Sequence, residues 1–184
     1  TRGGTEREKY MKIDRAITIY RPRAEVYQFW RTFENLPRFM RHLESVRNLD
    51  GSGQRTHWVA KAPLDNTVEW DAEIVTERAN ELISWQALPG AQIDNRGSVA
   101  FRDAPGSRGT EVTVNLVYDA PGGKAGALIA RLLGEEPEVQ IRDDLRRLKQ
   151  ILEVGWVTTT DGQTSGRKDE EETQEQDQNR GGSA

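Results

Sequence analysis

The two histidines are the residues of this sequence best suited to proton transfer near neutral pH. His42 and His57 are the only imidazoles, and the chain has no cysteine that could serve as a nucleophile. His42 follows a short predicted helix, so we expect it at the surface or at the end of that helix. His57 precedes Trp58 in an alternating segment, which sends the two side chains to opposite faces of a strand. If Trp58 points inward, His57 faces solvent; in the other register, His57 becomes the best candidate for a general acid or base.

The acidic residues do not form a convincing catalytic or metal-binding cluster. Glu69, Asp71 and Glu73 alternate along one predicted strand and share its polar face, which is typical of a solvated surface. No pair of histidines has metal-ligand spacing, and thiolate ligands are absent. The glycine-rich pieces at 51–53 and 122–123 do not lie between a strand and a helix with a Lys-Ser/Thr pair behind them, so we interpret them as turns and not as phosphate-binding loops. We therefore expect no metal and no cofactor.

Charge is distributed unevenly along the chain. The formal net charge is −4, and residues 158–184 carry seven acidic and three basic side chains, which leaves residues 1–157 neutral. A neutral body gives no electrostatic reason to expect nucleic acid as a partner.

No run of about 18 apolar residues is present, so we predict no membrane span. The lack of cysteine favours a reducing compartment, and we expect a cytoplasmic protein, membrane-associated if an upstream segment is missing.

Composition divides the chain into three parts. Residues 158–184 contain no apolar side chain larger than alanine, so they cannot bury enough surface to offset the entropy of ordering, and we predict an acidic disordered tail. Residues 1–11 are polar and are predicted to be a flexible N-terminal segment. Residues 12–157 have the length and apolar content of one folded domain.

The segment from Arg21 to Val46 has a helical pattern. Apolar residues at offsets of three, four and seven predict an amphipathic helix, and a second short apolar stripe follows at once. Asn35 is expected to cap this second helix, with Pro37 inside its first turn. Two linked helices after a first strand are uncommon in chains that are otherwise rich in strands.

Seven strands and a long helix make up the rest of the predicted domain. The strands are expected near residues 12–20, 43–50, 54–62, 67–76, 82–88, 97–102 and 110–119. Their alternation and short connections indicate an antiparallel sheet with one polar face. Apolar residues at offsets of three and four from 128 to 152 predict a C-terminal helix, interrupted near Gly134 and Pro137 and ending at Gly155. This helix is the natural cover for the apolar face of the sheet.

Several short motifs accompany this order of elements. They are ENLPRFM from Glu34, HWVAKAP from His57, EWDAE from Glu69, GEEP from Gly134 and DLRRLK from Asp144. With the order of elements, they resemble the bacterial polyketide cyclase/dehydrase (SRPBCC) family of the START-like superfamily. The resemblance implies the α+β helix-grip fold, a curved seven-stranded antiparallel sheet around a long C-terminal helix, with two short helices after the first strand.

The resemblance also implies a cavity between sheet and helix that takes a hydrophobic small molecule, such as a lipid, a quinone or a polyketide-like compound. The candidate lining residues are Phe39, Met40, Trp58, Trp70, Trp85, Phe101, Val114, Leu116, Leu128, Leu132 and Leu145. Each aromatic taken singly is more often simple core packing, and the sequence does not say whether side chains fill the space.

Two other functions stay open alongside binding or carrying such a molecule. The first is a cyclase or dehydrase that acts by positioning its substrate and by general acid–base catalysis. The scarcity of ionisable residues predicted to point inward argues against it. The second is a regulatory module that binds another protein through the acidic tail or an arginine-rich surface. The sequence leaves the oligomeric state open.

Overall fold

The computed structural model describes residues 10–62, 64–119 and 136–155. The strands are β1 (Tyr10–Ile19), β2 (Leu43–Asn48), β3 (Arg55–Ala62), β4 (Asn66–Arg78), β5 (Leu82–Ala87), β6 (Asn95–Asp103) and β7 (Thr110–Asp119). The helices are α1 (Arg23–Arg31), a 3₁₀ helix (Phe33–Arg38), a 3₁₀ turn (Pro105–Ser107) and α2 (Pro137–Val154).

The seven strands form one antiparallel sheet in the order β1-β7-β6-β5-β4-β3-β2. Strands β2 to β7 follow one another as a meander, whereas β1 pairs with β7, from Tyr10 opposite Asp119 to Ile19 opposite Thr110. The chain therefore crosses from one edge of the sheet to the other through α1 and the 3₁₀ helix. Irregular pairing in β2 and β4 bends these strands, because a bulge increases local twist. The predicted helix-grip fold is confirmed.

Helix α2 covers the apolar face of the sheet at the β1 side. Its buried apolar residues follow the predicted stripe and are Ile141, Leu145, Leu148 and Leu152. The Lys149 ammonium donates to the Thr18 carbonyl at 2.6 Å, and Arg21 Nε donates to the Leu152 carbonyl at 2.6 Å. The second bond satisfies a carbonyl that has no partner within the helix. Gly155 follows with a φ of 76°, a conformation that ends helices and favours glycine.

The two short helical segments close one end of the sheet. Three buried residues of α1, Val26, Tyr27 and Trp30, face the core. The predicted capping role of Asn35 is wrong, because the 3₁₀ helix begins earlier, with Thr32 at its N-cap. Asn35 lies inside that helix, and its amide donates to the Phe29 carbonyl at 3.0 Å. Within the described ranges, no helix has the length and apolar character needed to cross a membrane.

Candidate functional site

A cavity of about 90 Å³ lies between the inner face of the sheet and α2. Its wall consists of residues from the segment after the 3₁₀ helix, from the strands and the β5–β6 connection, and from α2. The lining residues are Met40, His42, Trp58, Trp70, Trp85, Ile93, Asn95, Arg96, Leu116, Val117, Tyr118 and Ile141. Most of this wall is apolar, which is the usual character of a small-molecule site.

Three tryptophans on adjacent strands form an aromatic wall of the cavity. Trp58 of β3 is the direct cross-strand partner of Trp70 of β4, and their rings stack with centroids 5.7 Å apart and planes at 22°. The ring of Trp85 on β5 stacks on Trp58 at 6.4 Å and 20°. The side chains thus present nearly parallel planes, because residues of the same pleat face lie next to one another on paired strands.

A glycine makes this wall possible. Gly97 of β6 pairs with Trp85 of β5, and a Cβ atom at position 97 would lie 2.4 Å from the Trp85 ring. The same Cβ atom would lie 2.8 Å from Cδ2 of Leu116. Any side chain at position 97 would therefore displace the indole or the leucine. This is the close approach for which a strand interior uses glycine.

A buried carboxylate lies behind the wall of the cavity. Asp144 of α2 is 1% exposed, and its Oδ1 accepts hydrogen bonds from Arg147 Nη1 at 2.5 Å and from Gln140 Nε2 at 2.8 Å. The same oxygen accepts a long bond from the backbone N–H of Arg41 at 3.5 Å. Its Oδ2 has no hydrogen-bond partner among the described residues and lies 3.7 Å from Nδ1 of His42.

Burial shifts the pKa values of Asp144 and His42 in opposite directions. Desolvation raises the pKa of Asp144 to about 6, although Arg147 and the other donors act against the rise. Desolvation lowers the pKa of His42 to about 4. At neutral pH the carboxylate is therefore charged and the imidazole is neutral. A neutral imidazole carries one donor and one acceptor nitrogen.

His42 does not lie where the sequence predicts it. We expected a surface or helix-end residue, whereas the side chain is 15% exposed and lines the cavity. The prediction was wrong because α2 packs over the residues that follow the 3₁₀ helix. Arg147 Nη1 of α2 donates to the Phe39 carbonyl at 2.9 Å, which holds the two segments together.

His57 lies on the outer face of the sheet, since Trp58 is the residue of this pair that points inward. The Nδ1 atom of His57 lies 2.7 Å from Asp71 Oδ1, and its Nε2 atom lies 3.3 Å from Glu69 Oε2. The observed register is the one that keeps His57 out of the cavity. Within the part of the chain that the structure describes, no group of three or more acidic or histidine side chains is arranged to hold a metal ion.

The structure separates the predicted lining residues into three groups. Met40, Trp58, Trp70, Trp85 and Leu116 line the cavity. Four others are buried in the core outside the cavity lining, namely Phe39, Phe101, Val114 and Leu145. Leu128 and Leu132 lie outside the described residues. The ligand-binding role of all these residues stays a prediction.

Sequence reasoning missed the polar members of the site. Asp144 lies on the same side of α2 as Ile141 and Leu148, so a charged residue interrupts an apolar stripe. That interruption is a signal that the sequence does carry. Tyr118, on the predicted apolar face of β7, also lines the cavity, and its hydroxyl donates to Met11 Sδ at 2.7 Å. Nothing in the sequence indicates that Asn95 and Arg96 reach this space.

Similar sequences support the family predicted from the motifs. Residues 19–146 match the family model described as "Polyketide cyclase / dehydrase and lipid transport". An uncharacterized 17.2 kDa protein of Streptomyces lincolnensis is 27% identical over 146 residues, which cover 77% of this chain and 89% of that protein.

Solved structures give the same result for the fold. The Deinococcus radiodurans protein DR_A0006 is 40% identical, with a TM-score of 0.65, over 79% of this chain and 100% of that one. The Zhui aromatase/cyclase from Streptomyces sp. R1128 matches with a TM-score of 0.60 over 77% of this chain and 92% of that one. At 12% identity, the likeness to Zhui concerns the fold alone. On the match over residues 19–146, this chain belongs to the polyketide cyclase/dehydrase and lipid transport family.

Proposed function

We propose that the protein binds or carries a hydrophobic small molecule in the cavity between the sheet and α2. The observation that carries the proposal is the unfilled space against the stacked rings of Trp58, Trp70 and Trp85. Most of the wall of this cavity of about 90 Å³ is apolar. A bound apolar group would remove that wall from water and add dispersion contacts with the rings.

The dimensions of the cavity indicate which part of a ligand it takes. Its volume of about 90 Å³ is smaller than the roughly 300–1,000 Å³ of pockets that enclose drug-sized ligands. It suits one ring or a short acyl segment, with the remainder of a larger ligand outside. The indole Nε1 of Trp70 is buried without a hydrogen-bond partner among the described residues. An oxygen atom of the ligand would satisfy this donor.

Native mass spectrometry and tryptophan fluorescence test the proposal. The wild-type protein is expected to retain an apolar species on purification, and its indole emission is expected to change when that species is removed and added back. Leu116→Phe extends a lining side chain into the cavity, so it should abolish retention while the protein stays folded. Leu49→Phe is the matched control, because Leu49 is 51% exposed. Absence of any retained species, together with unchanged fluorescence on adding lipids or aromatic compounds, would contradict the proposal.

An acid–base enzyme is the second candidate function. One observation favours it: His42, a neutral imidazole beside a buried carboxylate, lines the same cavity. In an enzyme, His42→Asn would remove turnover while the ligand still binds. In a carrier, the same variant would change affinity only. Single-turnover assays on any species identified by mass spectrometry distinguish these two results.

A further inference from the structure

The hydrogen bonds around Asp144 leave one of its oxygens for His42. Oδ1 accepts from Arg147, Gln140 and the backbone of Arg41, while Oδ2 has no partner among the described residues. Nδ1 of His42 is also buried without a hydrogen bond there. The separation of 3.7 Å between these atoms is longer than a hydrogen bond, and neither atom has another partner among the described residues.

The carboxylate determines which ring nitrogen carries the proton. An ionised carboxylate only accepts hydrogen bonds, so Nδ1 of the neutral imidazole must be the donor toward Oδ2 of Asp144. Nε2 is then unprotonated and acts as an acceptor. His42 lines the cavity and Asp144 does not, so the imidazole lies between the carboxylate and the cavity.

Several other polar side chains of the lining already have contacts, and the indole Nε1 of Trp70, which has no partner among the described residues, is a donor and not an acceptor. The Asn95 amide donates to the Ile93 carbonyl at 3.3 Å, and the Tyr118 hydroxyl donates to Met11 Sδ at 2.7 Å. The Arg96 guanidinium lies over the Tyr10 ring at 5.4 Å. Nε2 of His42 is therefore an acceptor in the lining that a ligand hydroxyl is well placed to use.

We propose that His42 accepts a hydrogen bond from a hydroxyl group of the hydrophobic ligand, and that Asp144 is the positioning residue that holds the required tautomer. This inference rests on the proposed binding function and adds the chemical class of the ligand, an apolar ring or chain that carries a hydroxyl. An otherwise similar ligand with a methyl group at that point would leave Nε2 desolvated and unpaired. The site would therefore discriminate between the two.

Two single-ring probes measure this discrimination. In p-cresol and p-xylene, a hydroxyl and a methyl group of similar size occupy the same position on one ring. Each protein is titrated with both probes by calorimetry at pH 8, and the ratio of the two dissociation constants is compared between proteins. The free energies of transferring the probes from water are the same for every protein, so they cancel in this comparison.

His42→Asn keeps an amide donor for Asp144 but removes the acceptor at Nε2. This variant is expected to change the ratio of the two dissociation constants about tenfold in favour of p-xylene, because one hydrogen bond to p-cresol is lost. His57→Asn, the same change on the outer face, is the matched control and should leave the ratio unchanged. In the wild-type protein, the ¹⁵N resonance of His42 Nε2 should move with p-cresol and stay in place with p-xylene, which tests the inference even if a variant fails to fold.

Asp144→Asn tests the positioning role separately. Its amide oxygen would keep the bonds from Arg147 and Gln140, and its NH₂ group would face His42 and reverse the tautomer. Nε2 then becomes a donor, so 4-methylanisole, which only accepts hydrogen bonds, should gain about tenfold relative to p-xylene. A residue with a merely structural role would not produce this gain.

The outcomes separate the two proposals. Suppose that both probes bind, that the ratio of dissociation constants is the same in the wild type and in His42→Asn, and that the ¹⁵N resonance responds equally to p-cresol and p-xylene. The inference is then wrong and the binding function stands. A matching shift in His57→Asn would also overturn it. If neither probe binds the wild-type protein, the proposed function fails and the inference fails with it.

Discussion

Nδ1 of His42 lies 3.7 Å from Oδ2 of Asp144, and burial moves the pKa values of the two groups in opposite directions, to about 4 and about 6. For Asp144, the raised pKa means that the native state binds more protons than the unfolded chain between about pH 4 and 6, so stability falls as pH rises. For His42, the lowered pKa means that the unfolded chain binds more protons between about pH 4 and 6.5, so stability rises with pH. In the wild-type protein the two contributions largely cancel.

Single substitutions should therefore expose opposite pH dependences of the free energy of unfolding. His42→Asn removes the imidazole contribution, so stability relative to the wild type should fall, on the order of 2 kcal/mol, as pH rises from 4 to 6. Asp144→Asn removes the carboxyl contribution, so stability relative to the wild type should rise by a similar amount from pH 4 to 6.5. Urea unfolding of both variants and the wild type at half-unit intervals measures these slopes. Profiles parallel to the wild type in both variants would contradict the assigned shifts.

Gly97→Ala should destabilise the protein by about 2 kcal/mol, because the added methyl group collides with the Trp85 ring. The collision can be isolated with a double-mutant cycle measured by urea unfolding. In a Trp85→Phe background the smaller ring leaves room, so the same glycine substitution should cost clearly less. Equal costs in both backgrounds would show that contact with the indole is not the reason for glycine at this position.

Tyr27→Phe should cost about 1 kcal/mol, since the phenol donates to Glu77 Oε1 at 2.5 Å and joins α1 to β4. The same oxygen accepts from Arg31 Nε at 2.6 Å. Burial and the carboxylate raise the pKa of Tyr27 to about 12, so the wild-type phenol should ionise later than a free tyrosine in an ultraviolet pH titration. Tyr20→Phe is the matched control, because Tyr20 is 59% exposed. An equal loss of stability in both variants would argue against the bond to Glu77.

Deletion of residues 158–184 should leave folding and cavity binding unchanged, since the proposed domain ends at residue 157 and the cavity lining lies within residues 40–141. The deletion removes a net charge of −4, so it should affect interactions that depend on acidic side chains. Thermal unfolding and p-cresol titration of the shortened protein measure the first expectation, and a pulldown with both forms measures the second. A loss of probe binding on deletion would contradict the proposed domain boundary.

The sequence by itself determined the strands, the family and the apolar stripe of the C-terminal helix from Ile141 to Leu152; the first part of the predicted stripe, from residue 128 to 133, lies outside the described residues. Alternation in β4 places Val68, Trp70 and Ala72 inward, and this face is buried in the structure. Such patterns can be read locally because a side chain's face depends only on the period of its own element. The same rule predicted that Trp58 and His57 point to opposite faces.

Only the tertiary structure decided which of these faces meet and what space remains between them. The position of His42 depends on α2, which lies about one hundred residues further along the chain and brings Asp144 to it. The cavity depends on the combined volumes of side chains from several strands and on the missing Cβ of Gly97. The position of His42 and the volume of the cavity leave no periodic pattern in the sequence, because both arise from packing between residues distant along the chain.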